Sequence, residues 1–69
     1  MSFASLPPNI KDTAEAVLTR KQLDVFKLWC GGAGTSRIAT MLDVSEPVAR
    51  RTLDRARQKI RIAIDKEAA

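Results

Sequence analysis

Histidine and tyrosine are missing from this chain, and cysteine and tryptophan occur once each, as Cys30 and Trp29. Without histidine and with one thiol, neither the usual soft-metal site nor a histidine-assisted nucleophile can be assembled. A single thiol forms no internal disulfide, so nothing in the sequence asks for an oxidising compartment. Carboxylates remain, but Asp24, Asp43, Asp54 and Asp65 fall on different expected faces and share no pocket-forming context. No catalytic residue, metal ligand or cofactor is therefore expected, and the chain reads as a protein that is not an enzyme. Trp29 and Cys30 are most simply core or edge-of-core residues, since no second thiol or histidine is present to assist Cys30.

Aromatic residues are scarce, with two Phe beside the one Trp, so the core has to be built from Ala, Val, Leu and Ile on helices. Glycine and proline number three each, too few for the many turns of a small all-β fold. Long apolar runs are absent too. None approaches the ~20 residues needed to cross a bilayer, and the N-terminus does not pair a charged start with an apolar stretch, as a signal peptide would. The expectation is one small all-α domain of 69 residues, a helical bundle in the cytoplasm with no membrane as partner.

What is present is charge, unevenly spread. The net charge of +4 is modest by itself. Between Ser45 and Arg61, however, six basic residues (Arg50, Arg51, Arg55, Arg57, Lys59 and Arg61) stand against two acidic ones, Glu46 and Asp54, while basic and acidic residues balance elsewhere. The whole excess sits on one segment. Five of its six cations are arginine, whose planar fork suits phosphates and guanine edges better than lysine does.

Along the chain, residues 1–8 have no apolar period and end in Pro7-Pro8, which reads as a flexible arm. From Asn9, a candidate N-cap, Ile10, Ala14, Val17 and Leu18 mark a short helical stripe. Thr19 and Gln22 have the spacing of a capping box and start a second helix, which carries Leu23, Val25, Phe26, Leu28, Trp29 and Cys30 before Gly31-Gly32 ends it. Thr35 or Ser36 caps a third helix with Ile38, Ala39 and Leu42. Asp43-Val44 makes a tight turn, and Ser45 caps a fourth helix, with Glu46 and Pro47 suited to its first turn. Two helices joined this closely form a helix-turn-helix unit.

In the last helix, from about Glu46 to Asp65, the apolar residues Ala49, Leu53, Ala56, Ile60 and Ala63 recur every three or four positions as one continuous seam. At about 100° per residue the opposite face carries Pro47, Arg51, Asp54, Arg55 and Gln58, and one flank carries Arg50, Arg57 and Arg61. The helix thus has a back that packs, an outer face and a basic flank.

The residues from Leu18 to about Arg61 resemble the GerE/LuxR-type helix-turn-helix. Its opening Leu-Thr, its Glu-Val-Phe and its Ile-Ala-xx-Leu-x-Val-Ser appear here as Leu18-Thr19, as Asp24-Val25-Phe26, and as Ile38-Ala39 followed by Leu42, Val44 and Ser45. Leu53, Arg55, Ala56 and Arg57, followed by Lys59, Ile60 and Arg61, also resemble the end of region 4 of extracytoplasmic-function sigma factors. The sequence departs from the LuxR pattern at Arg37, where an acid is usual, at Val48-Ala49 in place of Thr-Val, and at Thr52 in place of histidine.

The resemblance implies a sequence-specific, double-stranded-DNA-binding regulator of transcription that reads the major groove with helix 46–65, within a domain over 9–66 followed by a tail at 67–69. Arg51, Asp54, Arg55, Gln58 and Pro47 are then the candidates for base contact. Asp54 either accepts from a cytosine amine or is held by Arg50 or Gln58 as an orienting group. Ser36, Arg37, Arg50, Arg57, Lys59 and Arg61 are the candidates for phosphate contact. Two other readings use the same fold: a sigma-region-4-like module or phage-type co-regulator whose main partner is RNA polymerase, and a small DNA-packaging adaptor. LuxR-type domains dimerise through a further C-terminal helix. Since few residues follow Ile64 here, the N-terminal segment is the expected route to a homodimer, and the nucleoid the expected location.

Overall fold

The computed structural model describes residues 2–68, the side chain of Ala68 excepted, so the expected tail at 67–69 lies partly outside the described residues. A short 3-10 turn, Phe3–Ser5, precedes four helices: α1 (Pro8–Val17), α2 (Arg20–Cys30), α3 (Thr35–Leu42) and α4 (Glu46–Ala68). Among the described residues there is no strand, and the chain is a small all-α bundle. No described helix is long and apolar enough to cross a membrane.

Helix α4 is the common wall of the core. Each of the other three helices packs on it, and they do so along the expected seam: Ala49 and Ala56 are fully buried, and Leu53 and Ile60 nearly so. Ala63 is only half-buried, because the bundle thins towards the end of α4. The two alanines let neighbouring backbones approach, while Leu53 and Ile60 fill the space between them. Facing them are Ala14 and Leu18, Val25 and Phe26 of α2, and Ile38 and Ala39 of α3.

The helix ends follow from local chemistry, with some departures from the expected boundaries. Gln22 N–H donates to Thr19 Oγ1 (3.3 Å) and Thr19 N–H to Gln22 Oε1 (3.1 Å), so the capping box of α2 is formed. Val48 N–H donates to Ser45 Oγ (3.4 Å) at the start of α4. Helix α1 instead starts at Pro8, with Pro7 rather than Asn9 in the capping position, and Pro7 O accepts from the amides of Ile10 and Lys11. Proline suits this place because its missing N–H would have no helical partner. Helix α3 is preceded by Gly34, so neither Thr35 nor Ser36 is its cap, and both lie inside its first turn.

In α1 the expected stripe is turned slightly: Val17 is partly exposed, Thr13 is buried beside Ala14, and Leu18 reaches the core from just beyond the helix end. In α2, Trp29 lies at the edge and remains 39% exposed. The segment expected as an arm packs on α2. Phe3 sets its ring edge against Phe26 (centroids 6.1 Å apart, planes at 89°), Lys27 Nζ lies 5.2 Å from the Phe3 centroid, and Leu6 is half-buried on the core. Two apolar residues in a stretch without period give no helical signal, yet they suffice to hold the segment down.

Between α3 and α4 the turn is made by Asp43 in the left-handed conformation (φ 55°, ψ 48°), and Val44 N–H donates back to Ala39 O at 3.0 Å. This 6→1 bond closes the end of α3, tucks Val44 against the core and redirects the chain into the Ser45 cap. Aspartate tolerates the left-handed region better than a branched side chain does.

Two outcomes test this arrangement. Leu53→Ala is expected to cost roughly 2–5 kcal/mol, out of the roughly 5 kcal/mol available to so small a domain, and an unchanged thermal midpoint would show that the seam is not the core. Asp43→Val is expected to cost about 1–2 kcal/mol while Asp43→Gly holds or raises the midpoint, and equal melting of the two variants would mean that the turn is not left-handed.

Candidate nucleic-acid interface

Because the seam of α4 is occupied by three helices, its opposite face is left uncovered. Pro47, Arg51, Asp54, Arg55 and Gln58 are all exposed there, and together with Glu46 and Arg50 they line one shallow concavity of about 510 Å³. All five residues expected to contact bases are therefore brought onto one surface. Arg51 and Arg55 follow one another by a single turn, with Asp54 and Gln58 beside them.

The basic residues expected to meet phosphates are divided by their partners. Arg50 bonds to Glu46, one turn earlier (Nη2 to Oε1, 3.3 Å), an exposed i, i+4 pair worth little in stability but enough to bias the guanidinium towards the start of α4. Arg50 is thereby directed away from Asp54. Among the described residues Asp54 is hydrogen-bonded to neither Arg50 nor Gln58, so of its two expected roles the orienting one lacks its contacts.

Lys59 turns back towards α2, where its Nζ donates to Gln22 Oε1 at 2.9 Å. The same oxygen closes the capping box, so one acceptor ties the start of α2 to the middle of α4. Arg57 lies over the indole of Trp29, 4.9 Å from the ring centroid. With Arg61, Asp54 and Gln58 it lines a second, polar notch of about 460 Å³ that adjoins the outer concavity through Asp54 and Gln58. Ser36 and Arg37 are exposed on the first turn of α3 and line neither hollow. Thr52 donates its hydroxyl to Val48 O (2.8 Å) and is engaged within α4.

Sequence reasoning placed Trp29 at the core edge but missed its contact with Arg57. The signal lay in two separate elements, and no spacing within one helix encodes it. It likewise missed Gln22 as the partner of Lys59.

Chemically, the five face residues offer guanidinium and amide donors beside the Asp54 carboxylate, and Glu46 adds a second carboxylate to the lining of the concavity. The Cys30 thiol has its pKa raised by burial, which disfavours the reactive thiolate. Among the described residues no three histidine, cysteine, aspartate or glutamate side chains cluster as metal ligands would. In comparisons with known proteins, the chain matches no protein-family model, no curated protein and no solved structure.

Proposed function

We propose that this chain is a sequence-specific regulator of transcription that binds double-stranded DNA and lays the outer face of α4 in the major groove. The observation that carries the reading is the coincidence of two independent features. The one face of α4 left bare by the fold is lined by Pro47, Arg51, Asp54, Arg55 and Gln58, and it lies on the one segment that holds the chain's excess positive charge.

The fit is physical as well as electrostatic. A helix with its side chains is about 10–12 Å across, and the major groove is about 12 Å wide. Arg51 and Arg55 present forked donors to the two acceptors of guanine, and Gln58 matches the donor–acceptor pair of adenine. Asp54, free of Arg50 and Gln58, is suited to accept from a cytosine amine. Arg57 and Arg61 in the neighbouring notch supply the contacts that fix register on the backbone without reading sequence. Lys59, engaged by Gln22, is better suited to brace α4 against α2 than to reach a phosphate.

Binding of this kind displaces counterions condensed on the DNA. A plot of log affinity against log salt is therefore expected to fall steeply, and Arg61→Ala is expected to lower its slope by about one unit on every duplex tested. A flat plot for the parent protein would exclude the reading.

Base contact and backbone contact separate by sequence dependence. Once the preferred site has been selected from a random duplex pool, Arg51→Ala or Arg55→Ala is expected to lose roughly 1–3 kcal/mol on that site and much less on random duplex. Equal losses on both would move these residues to the phosphate-contacting set.

A further inference from the structure

The edge of the bundle between the end of α2 and the middle of α4 carries a pair that the outer face does not account for. Trp29 is the only tryptophan, is 39% exposed, and lies within 6.0 Å (centroid to centroid) of Phe26, which anchors it to the core. The Arg57 guanidinium sits over the same indole, 4.9 Å from its centroid. An arginine stacked on an aromatic face is attracted by the ring quadrupole and loses rotational freedom. Among the described residues the Arg57 N–H groups donate to no protein acceptor, so they stay available for a ligand.

Among the described residues Arg57 is also the one basic residue of α4 that is held by an aromatic ring. Arg50 is held by Glu46 and Lys59 by Gln22, through hydrogen bonds that use their donors. Held instead by the ring, Arg57 keeps its fork, and it shares the polar notch with Arg61, one turn further along the same helix. Two guanidinium groups one turn apart, the first fixed in place, form a two-point cradle for a phosphodiester oxygen pair. The single carboxylate in the notch, Asp54, sits at its boundary with the outer concavity, where it would keep phosphate to the Arg57–Arg61 side.

We propose that Trp29 is a positioning residue for DNA binding: its indole holds Arg57 beside Arg61 as a pre-ordered phosphate clamp next to the base-reading face. The proposal rests on the DNA-binding reading above. The clamp uses an exposed tryptophan to reduce the entropy lost on binding, since a guanidinium already held in place has less freedom to give up. If the stacking served only to cover the indole with the arginine stem, as long cationic side chains often do, it would contribute to stability and be silent in binding.

The test uses the full chain and a mixed-sequence duplex, with affinity measured between 50 and 200 mM salt. Far-UV circular dichroism confirms that each variant is folded. Arg57→Ala and Trp29→Leu are each expected to remove about one phosphate contact, making the affinity lost across that salt range about threefold smaller than for the parent. The double variant should lose no more than either single one, and Trp29→Phe, which keeps an aromatic face, should retain most of the parent behaviour.

Fluorescence of the single tryptophan gives a second reading that needs no substitution at position 29. Duplex DNA should change the Trp29 emission of the parent protein and leave that of Arg57→Ala nearly unchanged. Full salt dependence in Trp29→Leu, or additive losses in the double variant, would overturn the clamp while leaving DNA binding in place. Should Trp29→Leu fail to fold, a parent emission that does not respond to bound duplex would overturn it equally. A parent protein without salt-dependent duplex binding would remove the underlying reading and the clamp with it.

Discussion

Everything in this bundle depends on a single stripe of α4. A chain of this size has apolar residues for only one core, and it builds that core by setting Ala49, Leu53, Ala56 and Ile60 against all three other helices. Alternation of alanine with a large aliphatic residue allows close approach of helix backbones at two levels and fills the gaps at the other two. Since the stripe occupies about one third of the helix circumference, most of the remainder of α4 faces solvent. The same arithmetic that buries positions 49, 53, 56 and 60 exposes 47, 51, 54, 55 and 58.

That division explains why charge can be carried there at little cost to the fold. Arg51 and Arg55 are one turn apart, and like charges at this spacing oppose helix formation by a few tenths of a kcal/mol. A surface helix selected for stability alone would alternate signs along this row. Here the one ion pair formed among the described residues joins Arg50 to Glu46, and that pair lies at the helix start, where an acid is independently favoured by the helix dipole. Arg57 lies instead over the Trp29 ring.

Most of the fold was legible because it obeys one period per helix. The seam of α4, the Ile38-Ala39 pair, the Thr19 capping box and the Ser45 cap could all be read from spacing within a few residues. The outer face was legible for the same reason, being the complement of the seam. What escaped was non-local or aperiodic. Phe3 and Leu6 have no helical neighbours to announce them, and they are held by Phe26 and the core some twenty positions away. Lys59 looks like any flank cation until α2 brings Gln22 to it, and Arg57 until the Gly31-Gly32 end of α2 leaves Trp29 beneath it. The first turns of α1 and α3 were missed on a smaller scale, since prolines and a glycine can precede a helix without the side-chain cap that makes a boundary visible.

The length of α4 carries the reasoning one step further. Its 23 residues span about 34 Å at 1.5 Å per residue, nearly the full 37 Å long axis of the molecule. The fully packed part runs only from Ala49 to Ile60, after which Ala63 and Ile64 are half-buried and Ile62 is 48% exposed. An element that outlasts its core gains little stability from its final turns, where Ile64 still packs against the core and Ile62 faces solvent. The N-terminal half of α4, by contrast, is fixed from both ends: the Asp43 turn and Ser45 cap set where it begins, and the Lys59–Gln22 bond and Trp29–Arg57 stack restrain its middle. Positional precision is thus concentrated along the stretch that carries Arg51, Asp54, Arg55 and Gln58. A rigid helix holds such side chains more reproducibly than a loop would, which is what the proposed reading of base edges requires.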